Sequence, residues 1–192
     1  MTTIVQEEGN EAYYNKATDI VKNTYFLRVA ARTLELILPS EREKPERKEY
    51  YEALIKKIKE GKIFVEYLFS LPETEKAIIE YVKKNGGDGW EEIKKDWMGL
   101  ADMCATVALR YVEHDDFISG IIGDHHTLIG WTGDGDKRII GITYITNDMS
   151  FYTTLFDEII ATGSNAHLEA IQRIEDELNL RNLLQPPGTT TL

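Results

Sequence analysis

Ile63-Phe64-Val65-Glu66-Tyr67-Leu68-Phe69, running straight into Ser70-Leu71-Pro72-Glu73, is the stretch that decides the architecture. Its first seven residues are almost continuously apolar, the pattern of a strand covered on both faces rather than one. The next four open a helix carried by Ile78, Tyr81 and Val82 and closed at Asn85-Gly86-Gly87. A doubly covered strand feeding directly into a helix belongs to an α/β arrangement with crossover connections.

Working outward toward the N-terminus, residues 41–60 are rich in charge, yet Tyr51, Leu54, Ile55 and Ile58 recur at helical spacing. Pro45 suits a first helical turn and Gly61 a C-terminal cap. Before them, Thr33–Leu38 is ambiguous between a helical turn and extended chain, and Pro39-Ser40 ends it. Tyr25-Phe26-Leu27-Arg28-Val29-Ala30 reads as a strand, preceded from Glu11 by a short helix whose face is Tyr13, Ala17, Ile20 and Val21. Residues 1–10 show little periodicity and are expected to fray.

Toward the C-terminus, Asp88 is placed to cap a helix with a stripe of Trp90, Ile93, Trp97, Leu100, Ala101 and Cys104. Such a stripe is core or dimer interface, and Cys104 reads as a small buried hydrophobe. The texture then changes to four strands, Thr106–Val112, Phe117–Ile122, Thr127–Trp131 and Arg138–Thr146, joined by short turns. A helix from Asp148 with Leu155, Phe156, Ile159 and Ile160, and a last one with Ile171, Ile174 and Leu178, close the domain. The expectation is one α/β domain over 11–184, a mixed β-sheet covered by helices on both faces, with a flexible 1–10 and a disordered tail at 185–192.

Composition narrows the function classes. The chain has 192 residues with 22 basic and 33 acidic side chains, a formal net charge of −11, and 42% hydrophobic residues. That supports a core and argues against direct binding of nucleic acid, which needs a basic surface. One cysteine excludes an intrachain disulfide framework and a cysteine-based zinc site. No run approaches the roughly 18 apolar residues of a membrane span, so no membrane partner and a cytoplasmic location are expected.

Two stretches could carry chemistry: Glu113-His114-Asp115-Asp116 and Asp124-His125-His126. Together they offer histidine and carboxylate ligands for a divalent metal. A metal-dependent hydrolase or phosphodiesterase using His114, Asp116, Asp124 and His126 is therefore the alternative function. Against it, adjacent strand residues point to opposite faces, so His125 and His126 cannot both ligate from regular extended chain. Aspartate and histidine also populate turns for their backbone hydrogen bonds alone. No Gly-x-Ser-x-Gly elbow, His-Glu-x-x-His helix or Walker-type loop is present. Glycines within the strands, Gly120, Gly130 and Gly141 among them, mark close backbone approach or bulges.

The segment from Ala108-Leu109-Arg110-Tyr111-Val112 through Thr146 resembles the second part of a phospholipase D-like domain. That family carries His-x-Lys-x-x-x-x-Asp on a strand, then a hairpin and a Gly-Ser or similar small pair. Asp124 stands at the family's aspartate, while Phe117 and Ser119 occupy the places of its histidine and lysine. Gly130-Trp131 resembles the later small pair, one residue early. The resemblance spans roughly residues 11–162. It implies a phospholipase D-like half-lobe without phosphodiesterase activity, since phenylalanine cannot attack phosphorus and serine supplies no cation.

Degenerate domains of this kind are similar to the effector-binding part of archaeal transcriptional regulators of the TrmB type. The function implied is non-catalytic ligand sensing for transcription regulation, without cofactor or metal. Phe117 and Ser119 share a strand face by alternation. With Asp124, His126 and Trp131 they would line the old active-site face. Arg28 and Arg32 could add positive charge for an acidic or phosphorylated small-molecule effector, or serve as ordinary ion pairs. The expected partners are that effector, a second copy in a homodimer and a separate DNA-binding chain. A third possibility is a purely structural role, with Trp90 and Trp97 packing against a second subunit.

Overall fold

The computed structural model describes residues 6–7, 10–114, 119–132, 139–146 and 150–184. Three strands, β2 (Phe26–Ala31), β3 (Phe64–Ser70) and β4 (Val107–Val112), run parallel with β3 in the centre. Crossovers through α3 (Pro45–Lys59) and α4 (Leu71–Asp102) connect them. The second half returns as hairpins. β5 (Gly120–Ile122) pairs antiparallel with β2, then β6 (His126–Thr132) with β5 and β7 (Ile139–Thr146) with β6. With β1 (Gln6–Glu7) on the far edge, the seven-stranded order is β1-β7-β6-β5-β2-β3-β4. The expected mixed α/β sheet is therefore present, and the change from parallel to antiparallel falls between β2 and β5.

The two faces are covered unequally. Leu27, Val29, Val65, Tyr67, Phe69, Val107, Leu109, Tyr111, Ile121 and Leu128 point to one face by alternation and form the main core. There they meet α1 (Asn10–Lys22), α3, α4 and α6 (His167–Leu180). On the opposite face Ala30, Leu68, Val112 and Ile122 meet Phe156 of α5 (Ser150–Thr162) in a far smaller cluster.

The junction after β3 is held by buried hydroxyls. Ser70 caps α4, its Oγ accepting from the Glu73 amide at 3.4 Å. Thr74 donates to the Ser70 carbonyl at 2.8 Å and accepts from the Leu34 amide at 2.9 Å. The loop leaving β2 is thereby tied to the helix leaving β3, and both Ser70 and Thr74 are fully buried. Within α4 the interruption read at Asn85-Gly86-Gly87 is real: Gly86 has φ 67° and ψ −160°, which kinks the element. Gly61 likewise takes φ 64° just past α3.

Several expectations need correction. Pro39-Ser40 does not end an element but opens the short helix α2 (Pro39–Arg42), after a 3₁₀ turn over Glu35–Ile37. Gln6–Glu7, expected to fray, pair with Thr143 and Ile142. Among the described residues of the expected strand 117–122, only Gly120–Ile122 are extended. Cys104 is exposed, because α4 ends at Asp102 and the chain turns before β4. Trp90 and Trp97 do not face a second subunit: both are buried within the chain against α6. Trp90 Nε1 donates to Glu175 at 3.2 Å, and Lys94 binds the same carboxylate at 2.9 Å. The tail at 185–192 lies outside the described residues.

Trp97 Nε1 donates to Nδ1 of His167 at 3.3 Å, which fixes the proton of the neutral ring on Nε2, 2.9 Å from the Leu109 carbonyl. Burial holds this histidine below its ordinary pKa, with the Leu109 carbonyl pulling weakly the other way. The unfolded chain therefore takes up the proton first as pH falls, and stability declines from about pH 6.5 downward. The midpoint of thermal unfolding should fall between pH 7.5 and 5.5, and fall less in His167→Gln; an equal fall in both would remove His167 as the cause. Thr74→Val leaves the buried Leu34 amide without an acceptor and should cost about 1–3 kcal/mol in denaturant unfolding.

Candidate functional site

Four cross-strand partners form a row over the less covered face: Leu68 on β3, Ala30 on β2, Gly120 on β5 and Ile129 on β6. The two central residues are the smallest side chains available, so the sheet surface dips there. Leu155, Phe156 and Ile159 of α5 roof the dip. The result is an apolar cleft of about 440 Å3, counting its open mouth. Only Ser119 and Thr127 among its lining residues carry a polar side chain, and none is charged.

The adjacent row is Glu66, Arg28, Ile122 and Thr127. Arg28 Nε sits 3.0 Å from Glu66 and 3.4 Å from Asp157 of α5, and its guanidinium lies 4.5 Å from the Phe26 ring centre. The arginine thus fastens the roof helix to the sheet beside the cleft. Arg32 pairs with Glu73 at 3.5 Å on an exposed edge. Both arginines are engaged in ion pairs, the plainer of the two roles open to them from sequence.

The remaining expected site residues do not converge. Ser119 lines the cleft, at the N-terminal end of β5. Asp124 lies past the other end of that strand, roughly 15 Å away at strand rise. Its carboxylate accepts from the Tyr25 amide at 2.7 Å and the Phe26 amide at 3.2 Å, and its own amide donates to Thr24 Oγ1 at 2.7 Å. Asp124 therefore clamps the β5–β6 turn to the start of β2. His126, opposite Thr146, is held below its ordinary pKa by burial and by neighbouring His125. Trp131 pairs with Gly141 in β6 and β7, and Phe117 lies outside the described residues. Gly130, read as half of a family motif, is small because Tyr13 crosses it: an added Cβ would lie 2.8 Å from the ring.

The metal alternative fares no better in three dimensions. His114 follows β4 at one edge of the sheet, whereas Asp124 follows β5, three strands away, and His126 opens β6, four strands away, both at the opposite strand ends. The separation is on the order of 20 Å. Asp115 and Asp116 lie outside the described residues. Among the described residues, no three His, Cys, Asp or Glu side chains are grouped to hold a metal ion.

Sequence reasoning missed two polar features. Glu35 accepts from Tyr14 at 3.3 Å, from Arg47 at 3.0 Å and from Tyr51, joining α1 and α3 under the sheet. Burial and this carboxylate push the phenols of Tyr14 and Tyr51 well above their usual range, so they act as neutral donors. A lone glutamate inside Leu34-Glu35-Leu36-Ile37-Leu38 was the available signal. The second is Thr127, only 1% exposed, whose Oγ1 has no hydrogen-bond partner among the described residues. No sequence pattern could have marked it, because its isolation depends on what packs above β6.

Together these features define a mixed α/β domain with a neutral apolar cleft where parallel strands give way to hairpins. The same architecture is found in TrmBL2, an archaeal chromatin protein whose structure shows a novel mode of DNA binding: TM-score 0.51, 12% sequence identity, 84% of this chain covered. The match covers 53% of TrmBL2, so this chain corresponds to about half of that protein. No protein-family model matches the sequence, nor does any curated protein. No helix among the described residues is long and apolar enough to cross a membrane.

Asp124→Ala should destabilise the protein by about 1–2 kcal/mol through loss of two amide contacts at the β2 entrance. Asp124→Asn, keeping one acceptor oxygen, should recover part of that loss in urea unfolding. Equal stability of the alanine variant and the parent protein would refute the clamp.

Proposed function

We propose that this chain is a non-catalytic, ligand-sensing regulatory domain of the TrmB type. The observation that carries the reading is the cleft under α5. It is a concave, mostly apolar cleft with few polar groups, the character common to small-molecule sites. Its roof is a single helix, fastened at its flank by the Arg28–Asp157 pair. A ligand seated between roof and sheet adds contacts to both and biases where the helix rests, as a switch requires.

The likeness to TrmBL2 supports a place in transcription or chromatin regulation, while function itself is argued from the site. DNA contact is assigned to a separate partner, because a net charge of −11 repels phosphate. Sensing also leaves the Phe117 and Ser119 replacements without catalytic consequence. The proposed assembly is a homodimer.

The purified chain alone should leave a labelled DNA duplex unshifted at physiological salt. A screen of neutral metabolites should raise its unfolding temperature with at least one compound, and Ala30→Leu, which fills the dip, should lose that response. A duplex retained by the chain alone, or a response intact in Ala30→Leu, would overturn the reading. Light scattering should return about twice the 22.0 kDa chain mass, and a monomeric mass would remove the dimer.

A further inference from the structure

The cleft has a chemical preference that follows from its walls, and the inference about it rests on the sensing role proposed above. Its floor and roof are Ala30, Leu68, Ile122, Ile129, Leu155, Phe156 and Ile159, with no charged side chain among the lining residues. The cations flanking it are both engaged: Arg28 pairs with Glu66 and Asp157, and Arg110, cross-strand from Leu68, donates to the Gly163 carbonyl at 3.2 Å. A carboxylate or phosphate entering here would lose its hydration without gaining a counter-charge, which is strongly unfavourable.

One polar side chain on this face of the sheet, that of Thr127 beside Ile122, is unsatisfied. Thr127 Oγ1 is buried and has no hydrogen-bond partner among the described residues. Such a group in a folded protein is uncommon, and a ligand that supplies its partner recovers the cost of leaving it bare. A hydroxyl both donates and accepts, so an alcohol, a ketone or an N–H group can satisfy it. We infer that the cleft binds an uncharged, mainly apolar small molecule whose single polar group hydrogen-bonds to Thr127.

Three probes of one shape separate the possibilities: benzyl alcohol, toluene and benzoate, titrated into the full chain. Methyl resonances of Ile122, Ile129 and Leu155 report occupancy, and unfolding temperature gives a second measure. Benzyl alcohol and toluene should perturb the three methyl groups, benzoate should not, and benzyl alcohol should bind more tightly than toluene. Thr127→Val keeps the shape and removes the hydroxyl. It should weaken benzyl alcohol about five- to tenfold, leave toluene unchanged, and not lower the unfolding temperature of the free protein. Benzoate binding as well as benzyl alcohol, or equal loss of both neutral probes in Thr127→Val, overturns this ligand class and leaves the sensing role standing. Absence of any perturbation at these methyl groups overturns both.

Discussion

The fold depends on β3 lying at the centre of the parallel strands and passing without a linker into α4. Phe69 and Leu71 are fully buried on either side of Ser70, so the chain turns from strand to helix inside the core, with no water to satisfy its amides. Ser70 and Thr74 supply what water cannot, and Thr74 extends the same network to the Leu34 amide on the loop leaving β2. One buried pair of hydroxyls thus aligns the ends of two neighbouring parallel strands. The kinked α4 then carries Trp90 and Trp97 across to α6, where Glu175 and His167 receive their indole N–H groups.

From that arrangement comes the asymmetry of the sheet. Among the described residues α1, α3, α4 and α6 pack on one face and α5 covers the other, whose surface dips at Ala30 and Gly120. The cleft is a product of this unequal covering. Near it, charged residues serve the framework: Arg28 joins roof to sheet, Asp124 holds a turn against β2, and Arg32 closes an exposed pair with Glu73. Arg28, Arg32 and Asp124, all expected near a ligand, make these contacts within their own chain.

Much of the fold was legible because it rests on local rules. The apolar run at 63–69, Pro45 and Gly61 around α3 and the break at Gly86 each stand where strand burial, helix capping and backbone freedom require them. The candidate site was legible only in part. Ser119 lines the cleft, but Asp124 was placed with it by spacing along the chain, and a strand keeps its two ends apart however short the count. Cys104 misled for a related reason: helical periodicity assigns a face, but says nothing about whether the helix has already ended.

By itself, the sequence determined most of the element types, the succession of crossovers and then hairpins, and a net charge of −11. These follow from side-chain periodicity, turn chemistry and residue counts, all properties of neighbouring residues or of the whole composition. Tertiary structure alone decided that β5 lies beside β2, that Leu68, Ala30, Gly120 and Ile129 form one row, and that Thr127 is buried without a partner. Those facts depend on strand register and on which helix covers which face. Residues far apart in the chain set both by packing against one another, and no window along the sequence contains them.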